Sequence, residues 1–357
     1  MRIGFDSKRL FFNNSGLGNY ARFHAEIMRS MSPIESVWLS EKDAQYRGII
    51  SASPKRLWPG FRWWGMGRFA SKQGVDLYHG LSNELPLDWP ENKPSVLTVH
   101  DTIFLDHPDY YKLWDRVIYS MKLKSAIKRA SVVVATSEFT RNSLSTHYPN
   151  RSDIKVIYQG LSQDFIEASN RVEAAAPTNP YFVYHSTFNA RKNHRTLLEA
   201  FSKIWKQCDW DLVLLGRPGS ELKELQNLVN SKTWGSRIRF IVDANQDVLL
   251  SWLKGASGFV YPSFTEGFGI PLIEAEYLNL PIAASRIPVF QELMGEGALY
   301  FHPNQADEMA ACMLELGRKE TQLTLIQKAK QESVKWESNL IRSQWETLYK
   351  QWLKENP

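Results

Sequence analysis

Short apolar runs alternate with helical patterns along almost the whole chain. The runs lack clean alternation of apolar and polar residues, which is typical of strands buried on both faces of a parallel sheet. They predict strands at 2–6, 75–79, 95–100, 132–136, 155–158, 181–185, 211–215, 238–242, 258–261, 281–284 and 298–301. Helical patterns such as 196–208 and 247–255 lie between them. This order predicts repeated βα units and an α/β fold.

One segment interrupts this order. Residues 166–180 mix alanines, charges, asparagines and two prolines, which favours a linker. A chain of 357 residues is also long for a single domain. We therefore expect an N-terminal Rossmann-like domain at 1–165 and a linker at 166–180. A second Rossmann-like domain would occupy 181–335, and a helical C-terminal stretch 336–357.

Composition narrows the class of protein. Apolar residues make up 43% and charged residues 23%, as in ordinary globular proteins. No apolar run approaches the roughly 20 residues needed to span a bilayer, and the two cysteines, Cys208 and Cys312, lie far apart. We expect a protein of the reducing cytoplasm. The net charge of +5 suits phosphorylated ligands or an anionic membrane surface and does not require a nucleic-acid partner.

The most informative segment is the stretch 261–274, in which an apolar strand leads through a glycine-containing loop into a helix. Gly267 and Gly269 would let backbone N–H groups approach a ligand closely. The start of the helix would then meet negative charge, such as a diphosphate. Glu266 lies in the loop and Glu274 in the first helical turn. An ordinary turn, with Glu274 complementing the helix dipole, explains the same residues.

Two further candidates follow predicted strands. Arg191 and Lys192 come after the strand at 181–185, and two adjacent cations can neutralise a diphosphate, although a solvated basic turn is the alternative. His100 and Asp101 end the strand at 95–100, where ligand sites of α/β proteins gather. A histidine at a strand end can equally be a hydrogen-bonded structural residue.

The residues from Gly16 to Ala21 fit the dinucleotide pattern G-x-G-x-x-G/A, which raises a nicotinamide-dependent oxidoreductase as a rival function. The dinucleotide fingerprint needs a tight turn directly after its strand, and here Gly16 is separated from the strand end at Asp6. The spacing therefore argues against the dinucleotide fingerprint and favours a different loop that contains Gly16 and Gly18. A structural turn remains open.

Two other segments have competing interpretations. Residues 55–72 interleave basic and aromatic side chains, which suits peripheral contact with the inner face of a membrane or inward packing of an amphipathic helix. Asp209 and Asp211 form a D-x-D, a known metal-binding signature. Because this pair precedes a strand and does not follow one, we expect no metal site there.

Several segments, in order, resemble the family 4 retaining glycosyltransferases. Glu266 and Glu274 within EGFGIPLIE match the family's E-x7-E motif. The segment FVYHSTFNARKNHRTLLEAF is similar to its strand, Arg-Lys-Asn loop and helix, and VHDTIF to its His-Asp segment. GLGNY is similar to its N-terminal glycine loop, and 281–303 to its strand, turn and final strand. The resemblance covers nearly the whole chain.

This resemblance implies a GT-B fold, with two facing Rossmann-like domains, a cleft between them and a C-terminal helix that crosses back onto the first domain. It implies transfer of a sugar from a nucleotide diphosphate donor to a glycan or lipid-linked hydroxyl, with retention and no obligatory metal or other cofactor. Mannose from GDP-mannose, in bacterial surface polysaccharide synthesis, is the first expectation.

The resemblance also assigns roles to individual residues. The implied catalytic residues are His100, Arg191, Lys192 and Glu266. Sugar hydroxyls would contact Glu266, the ribose Glu274, and the sugar or acceptor His100 and Asp101. The implied donor-binding residues are Gly16, Gly18, Arg191, Lys192, Glu266, Gly267, Phe268, Gly269, Ile270 and Glu274. A non-catalytic nucleotide-sugar-binding protein of the same fold is the alternative from another class.

Overall fold

Two six-stranded parallel sheets, whose central strands are buried, form the framework of the computed structural model. The structure describes residues 1–13 and 16–355, with side chains up to residue 351. The chain divides into two units. The first comprises Met1–Gln163 together with the stretch from Trp336 onward, and the second is Asp164–Lys335.

The first unit carries one six-stranded sheet and a short ribbon. Its strands are β1 (Arg2–Asp6), β2 (Glu35–Leu39), β3 (Gln45–Tyr46), β4 (Ile49–Ile50), β5 (Leu77–Gly80), β6 (Ser95–Val99), β7 (Val132–Ala135) and β8 (Lys155–Val156). The parallel sheet has the order β2-β1-β5-β6-β7-β8, and β3 pairs with β4 in the ribbon. The helices before the unit boundary are α1 (Lys8–Phe12), α2 (Gly16–Arg29), α3 (Phe61–Trp64), α4 (Met66–Lys72), α5 (Ile103–Asp106), α6 (Leu113–Arg129) and α7 (Glu138–His147).

The second unit is a doubly wound sheet. Its strands are β9 (Tyr181–His185), β10 (Asp211–Gly216), β11 (Ile238–Val242), β12 (Gly258–Tyr261), β13 (Ile282–Ser285) and β14 (Ala298–Phe301). All are parallel, in the order β11-β10-β9-β12-β13-β14, which is the strand order of Rossmann folds. The remaining helices are α8 (Gln163–Arg171), α9 (His194–Ile204), α10 (Leu222–Asn230), α11 (Gln246–Lys254), α12 (Ile270–Tyr277), α13 (Pro288–Met294), α14 (Ala306–Leu316), α15 (Lys319–Glu332) and α16 (Ser338–Glu355), the last of which belongs to the first unit.

Strand β2 and the segment 166–180 differ from the sequence-based expectation. The apolar pattern does not predict strand β2, because only the last three residues of this strand are buried. The strand nevertheless pairs with β1 along its whole length. The segment 166–180, expected to be a linker, begins inside α8 and lies in the second unit. Its helical part is held there by the Lys254 ammonium group, which donates to the carbonyl oxygens of Ser169 and Val172 at 2.9 and 2.6 Å.

Buried aromatic side chains attach α16 to the core of the first unit. Trp345 and Tyr349 are fully buried and stack with ring centroids 5.6 Å apart. The Tyr349 hydroxyl lies 2.9 Å from His24 Nε2 and 2.7 Å from His79 Nδ1. A hydroxyl carries one proton, so one imidazole accepts from it and the other donates to it. Burial lowers the pKa of both histidines, which keeps the cluster neutral.

We expect Tyr349→Phe to destabilise the protein by about 1–3 kcal/mol, because it leaves two buried imidazole nitrogens without their partner. Thermal unfolding measures the effect as a lower Tm. Tyr277→Phe is the control, since the Tyr277 side chain is partly exposed and its hydroxyl makes no such contacts. An unchanged Tm in Tyr349→Phe would contradict the structural role of this hydroxyl.

Candidate active site

The topology of the second sheet brings two distant loops together. Strands β9 and β12 are neighbours, although β10 and β11 come between them in the chain. The strand order reverses at this pair, and ligands of doubly wound sheets bind at such a switch point, beyond the carboxyl ends of the strands. The loop after β9 carries Arg191 and Lys192, and the loop after β12 carries Glu266. The candidate site therefore lies where this fold class places ligands.

The basic loop is tightly anchored. Residues Ala190–Lys192 form a single 3₁₀ turn. The Tyr184 hydroxyl of β9 donates to the Lys192 carbonyl at 2.8 Å, and the Phe264 N–H donates to the Arg191 carbonyl at 3.0 Å. These bonds fix the backbone of both cations, so their side chains start from defined positions.

Asn193 is a site residue to which the sequence reasoning assigned no role. Its φ of 57° places it in the left-handed region, which asparagine tolerates better than most residues. Its buried side-chain amide donates to the carbonyl oxygens of Pro262 and Pro303 at 2.9 and 2.7 Å. Asn193 thereby joins the loops after β9, β12 and β14. An asparagine directly before a helix that opens after a basic turn is the signal that could have revealed it.

Glu266 closes an ion cluster with the two cations. Arg191 Nη1 donates to Glu266 Oε2 at 2.8 Å and to the Thr265 carbonyl at 2.6 Å, and Lys192 Nζ donates to Glu266 Oε1. The Tyr261 hydroxyl donates to the same Oε1 at 3.2 Å. Burial alone would raise the pKa of Glu266, but the charges of Arg191 and Lys192 lower it to about 2. The glutamate is therefore ionised at neutral pH.

This cluster can attract an anion. Two cations face one carboxylate, so the cluster keeps a net positive charge. The side chains of Arg191 and Lys192 are 23% and 14% exposed, which leaves both within reach of a ligand. Arg191 presents a planar fork and Lys192 a point charge, the two cation types that proteins use for phosphate groups.

The start of α12 lies just beyond the cluster. Gly269 precedes the helix with a φ of 121°, a conformation that residues with a side chain rarely adopt, and Pro271 occupies the first turn. Gly267, Phe268, Gly269 and Ile270 are all buried. The positive end of the α12 dipole adds to the charge of the cationic pair. The loop and the helix start therefore form one electropositive edge.

Glu274 sits in the same helix and has a different environment. It is buried, and its carboxylate makes no hydrogen bond or ion pair with the residues that the structure describes. Burial raises its pKa to about 7. A buried carboxylate without a protein partner can accept hydrogen bonds from ligand hydroxyls, so its placement suits recognition of a polar ligand.

In the first unit, His100 and Asp101 follow β6. His100 Nε2 lies 2.7 Å from the Leu81 carbonyl, which can only accept, so Nε2 carries the proton and Nδ1 is an acceptor. Burial lowers the pKa of His100 to about 4, so the ring is neutral at pH 7. Asp101 Oδ1 accepts from the Ile103 N–H at 3.2 Å and thereby starts α5. His100 offers a neutral acceptor at a strand end, and Asp101 shapes the turn beside it.

Comparisons with known proteins agree with this architecture. The family description "Glycosyltransferase Family 4" matches residues 39–165, and "Glycosyl transferases group 1" matches 165–332. The chain is 30% identical over 251 residues to O-antigen chain mannosyltransferase B of Escherichia coli, a match that covers 67% of this chain and 64% of that relative. It is 26% identical over 319 residues to O-antigen chain mannosyltransferase RfbU of Salmonella typhimurium, covering 83% and 85%.

The chain belongs to glycosyltransferase family 4. Sucrose-phosphate synthase of Thermosynechococcus elongatus superposes on this glycosyltransferase with a TM-score of 0.79 at 17% identity, over 100% of both chains. The predicted GT-B fold class and the predicted enzyme class, glycosyltransferase, are thereby confirmed.

The predicted glycine loop of the glycosyltransferase is a helix. Gly16 and Gly18 lie in the first turn of α2, and residues 14–15 before it lie outside the described residues. Burial of Tyr20 and Phe23 on one face of α2 outweighs the low helix propensity of glycine. A Cβ at Gly18 would come within 1.8 Å of the Asn13 carbonyl oxygen, so this position requires glycine for close packing. Gly16 has open space around it.

In the segment 55–72, some aromatic side chains pack inward and others are exposed, so each of the two expected interpretations, inward packing and membrane contact, fits part of it. Phe61 and Met66 are buried in the core of the first unit, as inward packing requires. Trp58 and Trp64 are exposed. Arg62 pairs with Asp6 and Glu84 inside the unit and does not face outward as a surface cation.

The second aspartate of the D-x-D pair, Asp211, has a structural role. Asp211 accepts from Arg237 Nε at 2.5 Å and from the Asn179 amide at 3.3 Å, at the start of β10. Within residues 1–13 and 16–355, no group of three His, Cys, Asp or Glu side chains could hold a metal ion. Among the same residues, no helix has the length and apolar character to cross a bilayer.

Proposed function

We propose that this glycosyltransferase moves a mannosyl group from GDP-mannose to a hydroxyl of a glycan or lipid-linked glycan, with retention of configuration, in bacterial surface polysaccharide synthesis. The observation that carries the proposal is the cationic pair Arg191–Lys192 beside the start of α12, at the switch point of the second sheet. The similarity to O-antigen mannosyltransferases suggests the choice of sugar.

In the proposed reaction, the bond between the anomeric carbon and the diphosphate oxygen breaks, and a bond from the acceptor oxygen to that carbon forms. The acceptor proton passes to the departing diphosphate. Arg191, Lys192 and the α12 start stabilise the charge that develops on the leaving group. Preorganised donors of this kind contribute about 3 kcal/mol each in comparable sites. The protein cations take this role in the proposal, without an obligatory metal.

The other residues position the substrates. Glu266 orients Arg191 and Lys192 and contacts sugar hydroxyls from the same place. His100 Nδ1 accepts a hydrogen bond from a hydroxyl of the donor sugar or the acceptor. We place the enzyme in the cytoplasm, peripheral to the inner face of the membrane. Its two free cysteines fit that compartment.

The proposal is tested by thermal shift with GDP and UDP, followed by product analysis with GDP-mannose and an acceptor glycan. A ligand present at 100 times its Kd stabilises the folded state by about 2.7 kcal/mol. We expect GDP to raise the Tm more than UDP does, and nuclear magnetic resonance to show an α-linked product from the α-linked donor. Stronger stabilisation by UDP would overturn the donor assignment. A β-linked product would overturn retention, and donor binding without product would favour a binding protein.

We expect nucleotide binding to depend on the ionisation of Glu274. Only the ionised carboxylate accepts hydrogen bonds from both ribose hydroxyls, so affinity should rise with pH until about 7 and level off above it. Glu274→Gln should lower GDP affinity about tenfold or more at pH 8, the loss of a charged hydrogen bond. It should also remove the pH dependence. Calorimetry between pH 6 and 8 measures both effects.

The same substitution should have the opposite effect on the ligand-free protein. The pKa of Glu274 is raised on folding, from 4.5 to about 7, so its contribution to stability falls as pH rises through that window. Glu274→Gln lacks this loss and should unfold at a higher Tm than wild type at pH 8. Glu199→Gln, an exposed change in α9, is the control. GDP affinity that does not change in Glu274→Gln would refute the ribose contact.

A further inference from the structure

Helix α6 of the first unit carries an exposed apolar face that the candidate active site does not use. The face consists of Leu113, Trp114, Val117, Ile118 and Met121. Trp114 is 77% exposed and Met121 66%, although both are large apolar side chains. At 3.6 residues per turn these positions fall on one side of the helix. The opposite side, with Leu123, Ala126 and Ile127, is buried in the core.

Basic residues extend this face at both ends. Lys112 precedes α6, and Lys124 and Lys128 follow Met121 at helical spacing, all three exposed. Asp115 is the only acidic residue of the helix. The exposed surface of α6 therefore combines a row of apolar side chains with a clear excess of positive charge.

Two other cations of α6, Lys122 and Arg129, make contacts within the unit. Lys122 Nζ donates to Glu84 Oε2 at 3.2 Å and lies 4.1 Å from the centre of the Trp63 ring. Arg129 Nη1 donates to the Pro86 carbonyl at 2.7 Å. These contacts fix the rotation of the helix, so the apolar row points outward because the fold holds it there. The contact with Trp63 also sets α3 beside α6.

We propose that the exposed face of α6 docks onto the surface of an anionic lipid bilayer. Apolar and aromatic side chains of an interfacial helix enter the boundary between head groups and acyl chains, while long lysine side chains reach the anionic head groups. Charge complementarity favours this occupant over a second copy of the chain. Self-pairing of this face about a two-fold axis would bring its lysines towards one another.

The position of α6 in the chain links the proposed membrane contact to His100. The helix lies in the connection between β6 and β7, which begins at His100. The first unit would therefore be held at the membrane through the same connection that presents His100. This inference concerns lipid binding alone, so it stands or falls independently of the sugar and nucleotide proposed above.

Vesicle co-sedimentation of the full chain, without substrates, tests the proposal. We expect binding to phosphatidylcholine vesicles that contain phosphatidylglycerol, and weak binding to phosphatidylcholine alone. The double change Trp114→Ser with Met121→Ser should lower the partition coefficient by about tenfold or more, since each loses apolar area that enters the lipid. Lys124→Ala with Lys128→Ala should lower it about 25-fold, as each basic residue near an anionic surface contributes about fivefold.

Matched variants make the outcome decisive. Leu323→Ser removes an apolar side chain that is 61% exposed on α15 of the other unit, and it should bind vesicles as wild type does. Circular dichroism should show every variant folded, because the changed side chains are exposed. Wild-type binding by the Trp114 and Met121 variant would overturn the proposal. Loss of binding only in Trp58→Ser with Trp64→Ser would overturn it in favour of residues 58–64. A dimer that this α6 variant abolishes, without vesicle binding, would assign the face to a second copy and also overturn it.

Discussion

Lys192→Ala should lower kcat/KM for sugar transfer by about 10²- to 10³-fold, the usual effect of removing one preorganised donor from a developing oxyanion. Lys192 Nζ is one of two side-chain cations at the electropositive edge, and its backbone is fixed by the Tyr184 hydroxyl. Alanine removes the charge and leaves that backbone contact in place. Steady-state kinetics with the nucleotide-sugar donor and an acceptor glycan measure the loss.

Lys223→Ala is the matched control, since Lys223 is an exposed lysine on α10 of the same unit. It should leave kcat/KM unchanged. Arg191→Lys separates charge from geometry, because it keeps one positive charge and loses the planar fork. We expect an intermediate loss for that variant. Near-normal turnover in Lys192→Ala would remove the assignment of the leaving-group contact.

Glu266→Gln should destabilise the folded protein by about 3 kcal/mol at pH 7. The pKa of Glu266 lies at about 2 in the folded state against an ordinary value of 4.5. A difference of this size corresponds to about 3 kcal/mol of stabilisation. Because the folded pKa is the lower one, this stabilisation is present above pH 4.5 and is lost as the pH falls towards 2. Urea unfolding at several pH values should therefore show wild type and Glu266→Gln converging in acid.

Glu296→Gln provides the comparison with an exposed ion pair. Glu296 accepts from Lys328 Nζ at 2.8 Å at the surface, where solvent screens the interaction, so its substitution should leave the free energy of unfolding nearly unchanged. Glu266→Gln should also lower transfer, since Arg191 and Lys192 lose the group that orients them. A Glu266→Gln protein as stable as wild type at pH 7 would show that the cluster is not formed in solution.

The strands that the sequence predicts best are those buried on both faces. The pattern predicts strands at 181–185 and 258–261, and the buried strands β9 and β12 occupy those residues. A run of apolar residues can be recognised in the sequence without knowledge of the strands that it pairs with. The edge strand β2 has a weaker apolar pattern, because Glu35 is exposed. Pairing with β1 supplies part of the stability of this strand.

The contacts of the candidate site depend on topology, which local patterns do not contain. The sequence singles out Arg191, Lys192 and Glu266, but the ion cluster joins positions about 75 residues apart. It exists only because β12 pairs with β9 across the reversal in strand order. The role of Asn193 as a bridge between three loops is hidden for the same reason.

The sequence wrongly predicts a loop at Gly16 and Gly18, which lie in a helix, and the cause of this error is different. Glycine favours loops when it is considered alone, since its backbone loses more entropy in a helix than other residues do. Here the buried residues Tyr20 and Phe23 make the whole stretch amphipathic, and tertiary packing decides the conformation. Gly18 is required for space beside the Asn13 carbonyl, a contact that the sequence pattern does not reveal.

The proposed reaction requires that Arg191, Lys192 and the start of α12 bind a pyrophosphate. The most direct test compares the affinities of GDP and GMP by calorimetry in wild type and in Lys192→Ala, because the two nucleotides differ in one phosphate alone. We expect a wild-type preference for GDP of about tenfold or more, and a smaller preference in Lys192→Ala, in which Arg191 and the start of α12 remain. A GDP-to-GMP ratio that is the same in both proteins would contradict this expectation.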